Sequence, residues 1–242
     1  MSESNQFKLG YDYLLYNQLG IRVPIYAYTD SHIIVVGGSG SGKSTAILYW
    51  LYNMMLQEPF LDISVADYKQ SNELIGFSRH FAQSNDCVEL IREYYQCFLD
   101  TPEGGRGIQL LVIDEIAGLL THLSVYKETK HVADEIRSIL SEVLMLGRSR
   151  RCFILLSMQR YTSTIFPASS GAGDNFMVSV GLGRLTVDGR RGLFGGEHFD
   201  GEDNLLFSTG RGIALIDGNP LQGIILPRLS KAKLLNELTN NA

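Results

Sequence analysis

The stretch GGSGSGKST, residues 37–45, constrains this chain more than any other. It satisfies G-x-x-x-x-G-K-[ST] with Gly37, Gly42, Lys43 and Ser44, follows the apolar run HIIVV and opens a segment of helical length, KSTAILYWLYNMMLQ. Glycines let the backbone wrap an anion with its N–H groups, the helix start points its positive end at that anion, and Lys43 adds a mobile charge. A chance glycine-rich turn would not need the strand before it and the helix after it. Gly37, Gly38, Ser39, Gly40, Ser41, Gly42, Lys43, Ser44 and Thr45 are therefore the candidate ligands of a nucleotide's phosphates, with Ser44 placed for Mg²⁺. No G-x-G-x-x-G passes through these glycines, so the dinucleotide fingerprint does not fit.

Around this loop, short runs of Ile, Val and Leu alternate with longer amphipathic segments, the pattern of strands and crossover helices. LDISVADYK from Leu61, IQLLVIDE from Ile108, CFILLSM from Cys152 and DNFMVSVGLG from Asp174 read as strands. NDCVELIREYYQCFLD reads as a helix capped by Ser84, Asn85 or Asp86. Val132, Ile136, Ile139, Leu140, Val143 and Leu146 share one face of a long helix that Gly147 is expected to end. The tail from Asn204 to Pro227 reads as short strands joined by Gly-rich turns. The spacing predicts an α/β fold, a mainly parallel sheet flanked by helices. One domain is expected over residues 1–242, with 1–30 a short lead-in, because no Pro/Ser-rich or charge-rich linker interrupts the chain.

Several function classes lose support. A net charge of −5 argues against a protein that coats DNA, while leaving room for a local basic surface. Three cysteines with no CxxC spacing support neither a disulfide framework nor a zinc site, and the five histidines lack metal-ligand spacing. The longest apolar run, AILYWLYNMML, is broken by Asn53 and is too short for a membrane span, which takes ~18 residues or more. The N-terminus MSESNQFKLG is polar and has no signal-peptide core. A soluble, cytoplasmic chain is expected, able to dock on a membrane partner.

LLVIDE supplies the partner that a phosphate loop requires. Asp114 stands at the end of a buried strand, where it can hold Mg²⁺ through water, and Glu115 suits a base that polarises an attacking water. That pairing favours hydrolysis over phosphate transfer to a small acceptor. Gln159, at the end of the next strand, is placed to touch a γ-phosphate or its water. Asp67 and Lys69 in ADYKQ either lie near the nucleotide or form a strand-end ion pair. Arg150 and Arg151, before CFILLSM, either meet nucleic-acid phosphates or are solvated or paired structurally.

In this order the pieces resemble the FtsK/SpoIIIE–HerA group of motor ATPases. The phosphate loop, LLVIDEIAGLL, LGRSRRCFILLSMQR and VADYKQ look like that family's successive motifs, over about residues 30 to 225. The family's Ala-Thr-Gln-Arg-Pro segment appears as SMQRY, which keeps Gln159 and Arg160 and loses the proline. The resemblance implies a RecA-like core, assembly into a hexameric ring, and ATP hydrolysis at subunit interfaces while a polymer, usually double-stranded DNA, threads the lumen. It also implies that Arg148 is an arginine finger facing a neighbour's nucleotide. No membrane anchor and no C-terminal DNA-recognition domain of the chromosome-segregating relatives is seen, which suits a stripped-down motor of a plasmid, phage or mobile element with its own recruiting partner. Polypeptide export, a slow nucleotide-gated interaction module and a P-loop kinase are the alternatives.

Overall fold

The computed structural model describes residues 5–168, 170–198 and 207–241. Its elements begin with β1 (Gln6–Asp12), α1 (Tyr13–Leu19), β2 (Pro24–Tyr28), β3 (Ile33–Val36) and α2 (Lys43–Gln57). There follow β4 (Leu61–Asp67), β5 (His80–Gln83), α3 (Asp86–Asp100), β6 (Ile108–Asp114), α4 (Ile116–Val125), α5 (Lys130–Arg150) and β7 (Cys152–Met158). The last are β8 (Val178–Leu182), α6 (Val187–Phe194), β9 (Arg211–Ile216), β10 (Gln222–Ile225) and α7 (Lys231–Asn241). Asn204 to Leu206, the start of the expected tail strands, lie outside the described residues.

All these strands join one sheet in the order β2-β1-β10-β9-β8-β3-β7-β6-β4-β5. From β8 to β5 every pairing is parallel, and β9, β10, β1 and β2 extend the sheet antiparallel beyond β8. The expected RecA-like α/β architecture, a mostly parallel sheet between helices, is present. The central strands read as unbroken apolar runs because both of their faces are covered. Ile34 and Val36 pack with Ile91 of α3, Leu119 of α4 and Leu140 of α5, whereas Ile33 and Val35 pack with Ile47 and Leu51 of α2.

The N-terminal segment carries sheet structure of its own, since β1 pairs with β10 and β2 pairs with β1. Trp50, the single tryptophan, is buried in α2 and its indole N–H donates to Leu9 O of β1 at 2.7 Å. That bond anchors β1 to the helix that leaves the phosphate loop.

The segment after LLVIDE is two helices, α4 and α5. Between them Thr129 Oγ1 donates to Leu123 O at 2.7 Å, which satisfies a carbonyl left free at the end of α4. Gly147 does not stop α5, which runs on to Arg150 and is capped by Arg151 in the left-handed region, φ 57. The glycine is there for a close approach: a Cβ at 147 would lie 2.2 Å from Cys152 O. Of the three N-cap candidates for α3, Asn85 takes the position without a side-chain cap bond.

His32 precedes β3 and is buried; its Nδ1 accepts from the Ile154 N–H at 3.1 Å. Burial, with a smaller push from Arg148, lowers its pKa to about 3. The unfolded chain therefore binds a proton below pH ~6.5 that the folded chain refuses, so stability is full above that pH and falls as pH drops toward 3. Going from pH 7 to pH 5 should cost about 2 kcal/mol through this one group. Urea unfolding at the two pH values checks it. His32→Asn, whose Oδ1 can accept the Ile154 N–H, should shrink the difference; an undiminished difference would contradict the assignment.

Candidate active site

The phosphate loop leaves β3 at Val36, and Gly37 N–H donates to Met158 O at 3.2 Å, tying the loop to the end of β7. A Cβ at Gly37 would sit 2.4 Å from Leu182 O, so no larger residue fits between the loop and β8. Gly42, at φ 99, turns the chain into α2. Lys43 is nearly buried, and its ammonium donates to Gly37 O and, at 3.2 Å, to Gly38 O. Burial pushes Lys43 below the usual lysine value; Glu115 and Asp114 pull it back up, and Lys69 adds to the push down. Phosphate oxygens would be stronger partners for this ammonium than two neutral carbonyls.

A second segment clasps the loop from outside. Gly210 N–H donates to Ser41 O at 2.8 Å, and Thr209 Oγ1 donates to Gly40 O at 2.8 Å. Nothing local in STG, residues 208–210, marks it as a partner of residues 40 and 41, because only the antiparallel return of β9 beside β8 brings them together.

Strand order decides the rest. β7 lies between β3 and β6, so the phosphate loop, Gln159 and Asp114–Glu115 leave three adjacent strands at the same end. Asp114 is in register with Ser157 on β7 and with Asp67 on β4, and the Glu115 N–H donates to Ser157 O at 3.1 Å. Glu115 is half-buried and left-handed, φ 66, where it caps the start of α4. Gln159 and Arg160 are exposed, as are Gly38, Ser39 and Gly40. Ser44 and Thr45 occupy the first turn of α2, half-buried.

Asp114 is buried, and burial raises its pKa; the Ser157 hydroxyl beside it pulls it back down, Asp67 pushes it up, and Lys69 and Lys43 oppose. Its Oδ2 is buried beside the Ser157 hydroxyl, its neighbour in register on β7, and Ser41 Oγ is buried with no hydrogen-bond partner among the described residues. A buried oxygen left without a partner costs about 1–3 kcal/mol, which a bound ligand or water would offset. Among the described residues no cluster of three or more His, Cys, Asp or Glu could hold a metal by itself. Ser157 was not anticipated from sequence; its register with Asp114 is the signal, and it requires the strand order.

The four arginines around CFILLSM separate. Arg150 Nη1 donates to Leu99 O at 2.9 Å, Thr101 O at 2.8 Å and Phe98 O at 3.3 Å, closing the C-terminus of α3. Arg151 Nε donates to Gly107 O at 2.8 Å, and its Nη2 lies 3.7 Å from Glu58. Both are structural, which removes them as free phosphate contacts. Arg148 is exposed in the last turn of α5, at the end of β7 opposite to Gln159. Seven strand residues at ~3.3 Å each put about 20 Å between Arg148 and its own phosphate loop.

A cleft of about 1280 Å³ opens at the downstream flank of the loop, between Gly42, Thr45 and Tyr49 on one side and Tyr11, Arg211 and Arg228 on the other.

No protein-family model and no curated protein sequence matches the chain. Solved structures do match in three dimensions. The conjugation coupling protein TcpA of pCW3, in a monomer form with ATPγS, superposes with a TM-score of 0.75 at 17% identity, over 100% of this chain and 71% of TcpA. The cytoplasmic domain of the type VII secretion ATPase EccC from Thermomonospora curvata gives 0.69 at 17% identity, over 97% of this chain and 31% of EccC. The genome packaging NTPase B204 of Sulfolobus turreted icosahedral virus 2, with AMPPCP, gives 0.58 at 14% identity, over 83% of this chain and 100% of B204. The chain has the fold of the FtsK/SpoIIIE-type ATPases. It spans about a third of the EccC chain, and at these identities the likeness is one of fold. Two of these neighbours were solved with ATP analogues, ATPγS and AMPPCP.

Proposed function

We propose that this chain is the subunit of an oligomeric motor that hydrolyses ATP and moves double-stranded DNA, in the transfer of a plasmid, phage or other mobile element. The observation that carries the reading is the division of polar and charged groups between two ends of the strands of one sheet. Lys43, Ser44, Asp114, Glu115 and Gln159 gather at one end, while Arg148 stands exposed at the other. In this assignment the loop N–H groups and Lys43 hold the phosphates, and Ser44 and Asp114 hold Mg²⁺, Asp114 through water. Glu115 orients and polarises the attacking water, and Gln159 meets the γ-phosphate or that water. Mg²⁺ bound with the nucleotide neutralises phosphate charge.

Arg148 is too far from its own loop to serve it, so it serves the nucleotide of a neighbouring copy, in a closed ring that we take to be a hexamer. Met145 and Leu146, 48% and 53% exposed one turn before it, offer apolar surface to that neighbour. Among the described residues no helix is long and apolar enough to cross a membrane. We place the motor in the cytoplasm, brought to its DNA by a membrane-bound or mobile-element partner.

TcpA and B204 favour DNA by their stated roles in conjugation and genome packaging. A second reading, polypeptide export, is favoured by EccC, which has been solved with a signal sequence peptide. Phosphate release measured with linear DNA, circular DNA and peptides separates them. DNA is expected to accelerate turnover. Robust hydrolysis that ignores every DNA but responds to a peptide would move the chain to export, and very slow turnover under all conditions would make it a nucleotide-gated interaction module.

A further inference from the structure

The turn after β4 holds a charged group that the roles above do not use. Asp67 is fully buried, and it accepts hydrogen bonds from Ser71 N–H at 3.2 Å, Asn72 N–H at 3.0 Å and Gln83 Nε2 at 3.1 Å. All of these are loop or neighbouring-strand donors. The Asp67–Lys69 ion pair allowed by the sequence does not form, because the carboxylate is taken by the turn. Gln70 and Asn72 both adopt left-handed backbone, φ 57 and φ 59. Asparagine adopts that conformation readily, but Gln70 holds it only where the surroundings impose it, and such strain gathers at functional sites.

What this turn achieves is the placement of Lys69. The side chain is exposed and has no hydrogen-bond or ion-pair partner among the described residues. Asp67 and Asp114 stand side by side in register, on strands about 4.8 Å apart, so Lys69 starts two residues beyond the neighbour of Asp114. Its charge reaches both Lys43 and Asp114. Two sides of the phosphate site therefore carry a lysine, one within the loop and one on the far flank of Asp114.

We infer that Lys69 is a second catalytic cation, contacting the γ-phosphate of bound ATP from the Asp114 side, and that Asp67 is a positioning residue that holds the strained turn presenting it. The inference rests on the ATPase reading above. In phosphoryl transfer, charge is spread over three equatorial oxygens, and Lys43, confined within the loop, meets only part of it. A lysine serving solely as counter-ion to Asp67 and Asp114 would treat ADP and ATP alike; one that touches the γ-phosphate distinguishes them.

The test is the affinity of ADP and of ATPγS, each with Mg²⁺, for wild type, Lys69→Met, Lys69→Arg and Asp67→Asn, alongside phosphate release. Lys69→Met should weaken ATPγS about tenfold to a hundredfold while ADP is unchanged, with kcat falling at least as far. Lys69→Arg should recover part of both, and Asp67→Asn should shift ATPγS in the same direction by less. Equal weakening of both nucleotides, or no change in either, overturns the inference while leaving the ATPase reading intact. Wild type that binds neither nucleotide removes the ATPase reading and this inference together.

Discussion

Lys43→Ala is expected to abolish tight ATP binding, raising the dissociation constant by about a hundredfold to a thousandfold. The magnitude follows from removing one member of a desolvated, hydrogen-bonded charge pair, which costs about 2–5 kcal/mol. Two effects combine here. The buried ammonium is the loop's only internal cation, and it also holds Gly37 O and Gly38 O in place when phosphate is absent. Without it the loop loses both its charge and the brace that keeps its N–H groups turned inward. Titration with a fluorescent ATP analogue reads the change directly. Wild-type affinity in the variant would sink the phosphate-loop assignment and everything built on it.

Arg148→Ala is expected to lower kcat by about a thousandfold or more, with nucleotide affinity nearly unchanged. A fixed guanidinium acts on charge that develops in the transition state, so its loss appears in turnover before it appears in binding. Because Arg148 lies at the end of the strands away from its own loop, the effect must be recoverable by mixing. Combining Arg148→Ala subunits with Glu115→Gln subunits creates interfaces where an intact Glu115 faces an intact Arg148, and these should hydrolyse ATP. Phosphate release from the mixture checks this. Failure to complement despite demonstrated co-assembly would assign Arg148 a local role. Substitutions at Arg150 or Arg151 should behave differently, lowering stability through α3 and the 107 turn rather than turnover.

Much of the site was legible because its chemistry is local. The loop, Asp114–Glu115 and Gln159 each sit at a strand end that apolar runs mark out, and helix α2 has the limits that KSTAILYWLYNMMLQ suggested. What escaped the sequence depends on partners remote along the chain. Gly147 looked like a helix stop, yet its reason is the carbonyl of Cys152 across a packed interface. Residues 1–30 read as a lead-in because their apolar residues are interspersed with polar, half-exposed ones, and only Leu9 beneath Trp50 and the β10 edge give β1 a place. Arg150 and Arg151 looked like a basic patch because their acceptors, the end of α3 and Gly107, lie more than forty positions upstream. Asp67 and Lys69 could not be separated by sequence, since both readings put them at the same strand end.

Specific phosphate release, measured as protein concentration is raised alongside the mass of the species present, tests the central claim most directly. A site completed across an interface predicts activity per subunit that climbs as subunits associate and then levels off, with Arg148→Ala flat and near zero throughout. Activity per subunit that is constant from dilute monomer to assembled protein, and unchanged by Arg148→Ala, would contradict it.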